Sequence, residues 1–190
     1  MKYGLYLTVI CCFCFACGND QDVAKNQEPG KNDSLQFYPL QTYFRLQINK
    51  ADSNGHEKMQ TTVSNGKKEK MDTLTHESFY HVTDAFSAID VLESSNKQYY
   101  AESVFMDLTT NSYTFTYTTD KDSLPVKRIM ILVDTATSLV KRVFITKQKN
   151  IADSNIIEQL GWMHDSSFYI NTSIKIKGKE DIEKRINVIF

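Results

Sequence analysis

From Tyr99 to the C-terminus the side-chain chemistry repeats every two residues, and this period constrains the fold more than any other feature. Tyr113, Phe115 and Tyr117 alternate with Thr114, Thr116 and Thr118. Successive residues of a strand point to opposite faces, so this run has one apolar face and one wettable face. Strands are expected over Tyr99–Leu108 and Tyr113–Thr119, joined near Asn111, then over Val126–Val133 and Leu139–Lys147 across Asp134–Ser138. A last pair, Ser167–Ile176 and Asp181–Phe190, flanks Lys177-Gly178-Lys179. Connections this short favour antiparallel neighbours. Between the second and third pairs, Asp153 to Leu160 reads as a short helical turn closed by Gly161.

Upstream the period lengthens. Pro39 suits a helix start, where its missing N–H matters least. Leu40, Tyr43, Phe44 and Ile48 then share one helical face, and Asn54-Gly55 ends the segment. Met59–Val63 and Lys68–Met71 flank Asn65-Gly66, a strong hairpin signal. Thr75 is placed as an N-cap, with Leu74 and Phe79 at the positions of a hydrophobic staple. Phe79, Val82, Phe86 and Ile89 continue a stripe to about Leu92. The expected class is α+β: an antiparallel meander sheet packed against two N-terminal helices, with an early small hairpin and a late short helix.

The cysteines limit the chemistry. The chain has 4, all within Met1–Cys17. Lys2 and the uncharged run Tyr3–Phe15 have the charge and length of an export signal, whose apolar region spans about 7–15 residues. A membrane-crossing helix needs about 20. The polar run Gly18–Asp22 ends the stretch. Cys14-Phe15-Ala16-Cys17 resembles the bacterial lipobox, in which a small residue precedes the cysteine that is lipidated. The resemblance implies cleavage after Ala16 and a lipid on Cys17. The alternative is an ordinary secretory signal cut near Ala16, with Cys17 a free thiol. In the lipidated form no cysteine is left for a disulfide, a nucleophile or a metal. The domain must then rest on its core, for which 11 Phe and 10 Tyr provide aromatic mass.

Three segments follow from this reading. Residues 1–16 are the lipoprotein signal peptide. Residues 17–35 are the lipidated N-terminus and a flexible tether, polar and interrupted by Glu28-Pro29-Gly30. Residues 36–190 are a single domain. Gly18 stands where an aspartate would imply inner-membrane retention, so the outer membrane is expected, on its periplasmic or surface face. Asp20 and Asp22 resemble the acidic surface-export signals of Bacteroidota lipoproteins. With 22 basic against 23 acidic residues, the chain offers no electrostatic case for nucleic acid.

Phe37-Tyr38-Pro39-Leu40, the run from Thr110 to Tyr117, Val143-Phe144-Ile145 and Gln159-Leu160-Gly161-Trp162 resemble a family of exported Bacteroidota lipoproteins of unknown function. The resemblance covers roughly residues 37–190 and implies location and fold without lending a mechanism. Asp33-Ser34-Leu35, Asp72-Thr73-Leu74, Asp122-Ser123-Leu124 and Asp134-Thr135-Ala136 share the order Asp, hydroxyl residue, apolar residue. This resembles the O-glycosylation acceptor of Bacteroidota envelope proteins, with Ser34, Thr73, Ser123 and Thr135 as acceptors in expected linkers or turns. Asp, Ser and Thr are also common turn and cap residues.

No nucleophile elbow, zinc-protease helix, phosphate loop or dinucleotide fingerprint occurs. His76 and His81 are five apart, a poor fit to one helical face, and no metal or other cofactor site is read. His164-Asp165-Ser166 holds triad residue types in a turn-like run. Glu93, Glu102 and Asp107 are scattered carboxylates. Tyr113, Phe115, Tyr117 and Trp162 would suit either a ligand cavity or a core packed by the helices, and Tyr113, Phe115 and Tyr117 are expected to face the helices as core. The expected function is a lipid-anchored, non-enzymatic envelope module that binds or scaffolds an envelope protein or glycan. A carrier or chaperone for a lipophilic ligand comes second and an envelope hydrolase third.

Overall fold

The structure, a computed structural model, describes residues 38–87, 89 and 95–190. The expectations for Cys17, Ser34, the tether, the end of the second helical stripe at Leu92, and Glu93 lie outside them.

Among the described residues two α-helices and a single antiparallel sheet carry the fold. Helix α1 is Leu40–Ser53 and helix α2 is His76–Ser87. The strands are β1 Lys58–Ser64, β2 Lys67–Leu74, β3 Ala101–Asp107, β4 Ser112–Thr118, β5 Val126–Asp134, β6 Val140–Ile151, β7 Ser154–Met163, β8 Ser167–Ile176 and β9 Ile182–Ile189. Their order in the sheet is β2-β1-β9-β8-β7-β6-β5-β4-β3. The meander from β3 to β9 is therefore continuous, and the early hairpin does not stand apart. It docks on the last strand, with Met59 opposite Ile189 and Ser64 opposite Lys184. Asn65 and Gly66 both take positive φ at its turn, as a tight primed hairpin turn requires.

Local chemistry explains both helices. Thr75 Oγ1 accepts the backbone N–H of Ser78 at 3.3 Å, the side-chain cap that α2 needs. At the other end Lys147 Nζ donates to Ala85 O at 2.8 Å, satisfying a late carbonyl from the neighbouring sheet. Pro39 precedes α1, and Tyr43 N donates to Pro39 O.

The expected late helix is a correction. Asp153 belongs to the hairpin turn between β6 and β7, and residues 154–163 are strand. Ile151, the last residue of the long β6, faces Ser154 across that turn, and ten residue pairs then run unbroken to Arg142 and Met163. Pairing on both sides, with β6 and with β8, overrode a cap-like local signal. The strand expected to begin at Tyr99 is also shorter, because a 3₁₀ turn occupies Ser95–Tyr99.

The core fills the space between the helices and one sheet face. Phe44 of α1 and Phe79 and Phe86 of α2 are fully buried against Trp162, Phe168 and Val188. Phe86 meets Trp162 edge-on at 5.1 Å and Phe168 at 5.3 Å, while Trp162 and Phe168 stack at 5.2 Å across the β7–β8 pair. Ile129, Ile131, Val143, Ile145 and Leu160 extend this layer across the middle strands. The register fixes the two faces: Phe115, Ile131, Val143, Trp162, Phe168 and Val188 stand opposite one another in a single row.

Candidate functional site: the uncovered face of the sheet

The same register that buries one row sends the alternate residues to the opposite face. Among the described residues no helix lies on that face. One row there reads Thr116, Met130, Phe144, Gly161, Tyr169, Asn187 and Thr61. Gly161 has a specific role in it. A Cβ added there would stand 2.2 Å from the Tyr169 ring, so the ring lies directly on the glycine backbone. Only glycine seats an aromatic this way at the middle of a strand. Arg142, Phe144, Met163 and Ser167 complete a hollow of about 130 Å³ around the ring.

The neighbouring row reads Arg128, Thr146, Gln159, Asn171 and Arg185. Part of it lines an adjacent open groove of about 730 Å³, which also takes in Lys175, Asn187 and Glu183. Arg185 Nε donates to Asn171 Oδ1 at 2.7 Å, which orients the guanidinium and leaves its terminal N–H groups for a ligand. The third row places Arg142 between Leu132 and Met163.

The charge on this face is lopsided. The chain has four arginines, and Arg128, Arg142 and Arg185 all fall here. Among the described residues none of the three makes an ion pair. The acids of this face sit toward strand ends. Asp134 is paired with Lys141 at 3.0 Å. Asp107 is tied up in its own turn, where the Thr109 hydroxyl first and the Thr110 hydroxyl second hold its carboxyl down to about 2. Glu183 is the carboxylate inside the groove. The oriented Arg185 guanidinium beside primary amides, with Arg128 and Arg142 spaced across the same face and an aromatic ring between, suits an extended ligand that carries carboxylates and hydroxyls.

The residues singled out from the sequence are placed differently. Tyr117 and Trp162 are core, 1% exposed each. Phe115 packs at the edge of the core. Tyr113 shares their face but is exposed, a correction to its placement as core: it stands near the β4–β5 end of the layer, next to Met106 on the edge strand. Neither Tyr117 nor Trp162 opens onto solvent, so the four do not form one aromatic pocket.

The polar candidates also separate. His76 Nδ1 bonds Asp52 Oδ2 at 2.7 Å, His81 faces Asp84 within its own helix, and among the described residues no metal-capable cluster forms. His164 Nδ1 meets the Tyr43 hydroxyl at 3.3 Å, and its Nε2 faces Asp165 at 3.3 Å. Burial pushes the Asp165 carboxyl up, and the Lys50 hydrogen bond with the charge of His164 more than offsets it, leaving it below the ordinary value. Ser166 directs its hydroxyl to Ser167 rather than to His164. This group ties α1 to the β7–β8 turn, where Asp165 N also donates to Gln47 Oε1. Glu102 bonds the Tyr117 hydroxyl, far along the strand from Asp107.

Of the glycosylation candidates, Ser123 is exposed in the loop before β5. Thr135 lies in the β5–β6 turn, its hydroxyl donating to Asn111 O at 3.2 Å. Thr73 is a correction: it lies within strand β2, not in a turn, with its hydroxyl on Met59 Sδ.

Sequence reasoning missed Tyr169, Gly161, Asn171, Arg142 and Arg185. The signal was present in β8, where Tyr169, Asn171, Ser173 and Lys175 alternate with Phe168, Ile170 and Ile174. Comparison with known proteins finds no matching family, no matching curated protein and no matching solved structure.

Proposed function

We propose that the chain is a lipid-anchored cell-envelope binding module, held through Cys17 at the outer membrane, and that it docks an acidic envelope glycan on the uncovered face of its sheet. One observation carries this reading. Three of the four arginines are spread over a face whose middle row seats Tyr169 on Gly161, and among the described residues none of the three makes an ion pair. Guanidinium forks match carboxylate geometry, amides match hydroxyls, and the ring provides a surface for the apolar face of a sugar. The interior supports the same choice over a lipophilic carrier. The space between helices and sheet is filled by a continuous aromatic core.

The test uses soluble polygalacturonate and neutral dextran as probes in affinity electrophoresis. The proposal expects retardation by the acidic polymer, loss of it in Arg185→Ala and Tyr169→Ala, and no loss in Arg45→Ala, whose arginine lines a separate cleft beside the helices. Equal retardation of all four proteins, or none by polygalacturonate, overturns it.

A further inference from the structure

The two edges of the sheet are built differently. At one edge, β2 carries Lys67, Lys70 and Asp72, with Lys70 and Asp72 paired at 3.0 Å along the strand. Charges on an edge strand discourage pairing with another chain. At the other edge, β3 reads Ala-Glu-Ser-Val-Phe-Met-Asp and has no lysine and no proline. Beyond β3 the sheet has no further strand among the described residues. An edge strand's outward N–H and C=O groups are a template for another strand.

The apolar surface is concentrated at the same place. Among the described residues thirteen large hydrophobic side chains are exposed, and Tyr99, Val104, Phe105, Met106, Leu108 and Tyr113 are six of them. Phe105 is 67% exposed and Val104 54%, and the two point to opposite faces of the strand. Water therefore contacts apolar side chains above and below an edge that has no strand beside it among the described residues.

We propose that β3 pairs antiparallel with β3 of a second copy about a two-fold axis near Val104, continuing the sheet through both molecules. The strand is self-complementary in that register. Glu102 falls opposite Met106, Ser103 opposite Phe105, and Ala101 opposite Asp107, so no acid faces an acid. Val104 faces its own counterpart. A two-fold pairing of like edges closes on itself, whereas pairing β3 with a β2 edge would propagate without end. The surface is independent of the glycan face, whose central rows lie on β5 to β9.

Directly opposed residues in an antiparallel pair have Cα atoms about 4.5–5.5 Å apart, within disulfide range. The test therefore expresses the full chain in its envelope with Val104→Cys or with Met71→Cys, the latter an exposed position on the opposite edge. Membranes are oxidised and resolved on non-reducing gels beside the unsubstituted chain, which reports any contribution of Cys17. The expected result is that Val104→Cys converts mostly to a disulfide dimer while Met71→Cys and the unsubstituted chain do not. A second measurement compares the unsubstituted protein with Phe105→Lys, extracted in mild detergent, by sedimentation. The substitution should halve the protein mass while its circular dichroism spectrum stays that of the folded unsubstituted protein; an unchanged mass overturns the proposal. A Val104→Cys chain that stays monomeric, or dimerises no more than Met71→Cys, overturns the proposal. So does a mixed disulfide that outweighs the Val104 homodimer when the two variants are expressed together, because that product reports head-to-tail pairing.

Discussion

Phe86 and Phe115 measure what one aromatic side chain contributes at two depths of the same layer. Phe86 is fully buried and touches Phe44, Trp162 and Phe168. Phe86→Ala should cost about 3–5 kcal/mol in chemical denaturation, from lost transfer energy plus the cavity left behind. Phe115 is half-buried, so Phe115→Ala should shift the midpoint clearly less; equal shifts would mean the core extends to the β3 edge. Gly161→Ala should cost about 1–3 kcal/mol, because the new methyl displaces the Tyr169 ring from its seat. The same variant should lose polygalacturonate retardation while remaining folded. Asp107 supplies a pH signature. Its carboxyl is held down to about 2, so its turn is stabilised above the ordinary carboxylate value and loses that contribution as pH falls through about 2. Asp107→Asn should therefore lower stability at neutral pH, where the carboxylate's contribution is fully present, and flatten the acid limb of the stability profile between about pH 4 and pH 2.

At the scale of elements, the strands and helices that the sequence made legible were those whose pattern is local. The α1 stripe, the Thr75 cap, the Asn65-Gly66 turn and the Thr/aromatic alternation of β4 each need only neighbours in sequence to be read. The β7 segment was misread because its evidence is distant. Asp153 and Ser154 look like a helix cap and Gly161 like a helix end. In the sheet, Asp153 is a hairpin turn residue and Gly161 is the seat of the Tyr169 ring, eight positions on across the β7–β8 hairpin. The binding face was hidden for the same reason. Arg128, Gln159, Asn171 and Arg185 are scattered along the chain and become one row only when the register is known. Ile156→Pro distinguishes the two assignments of the segment. In a strand paired on both sides it removes a ladder hydrogen bond and should destabilise the domain by about 3 kcal/mol or more. In the first turn of a surface helix proline would be tolerated, so an unchanged thermal midpoint would contradict the central position of β7.

On the scale of the whole molecule, the proposal joins an anchor at one end of the chain to a binding face formed by its last five strands. Several acyl chains on Cys17 would make attachment effectively permanent, since each buried CH₂ adds about 0.8 kcal/mol. Cys17→Ser should therefore move the protein from the membrane fraction to the soluble fraction with its melting temperature unchanged. Persistence of the variant in the membrane fraction would contradict the lipobox reading. The docking claim itself is tested most directly in intact cells. A photoreactive benzophenone side chain is placed either at Tyr169 on the open sheet face or at Leu46, an exposed position on α1. Irradiation should give carbohydrate-bearing adducts from the Tyr169 position and few from Leu46. Adducts that arise equally from both positions, or that carry no carbohydrate, would contradict the account.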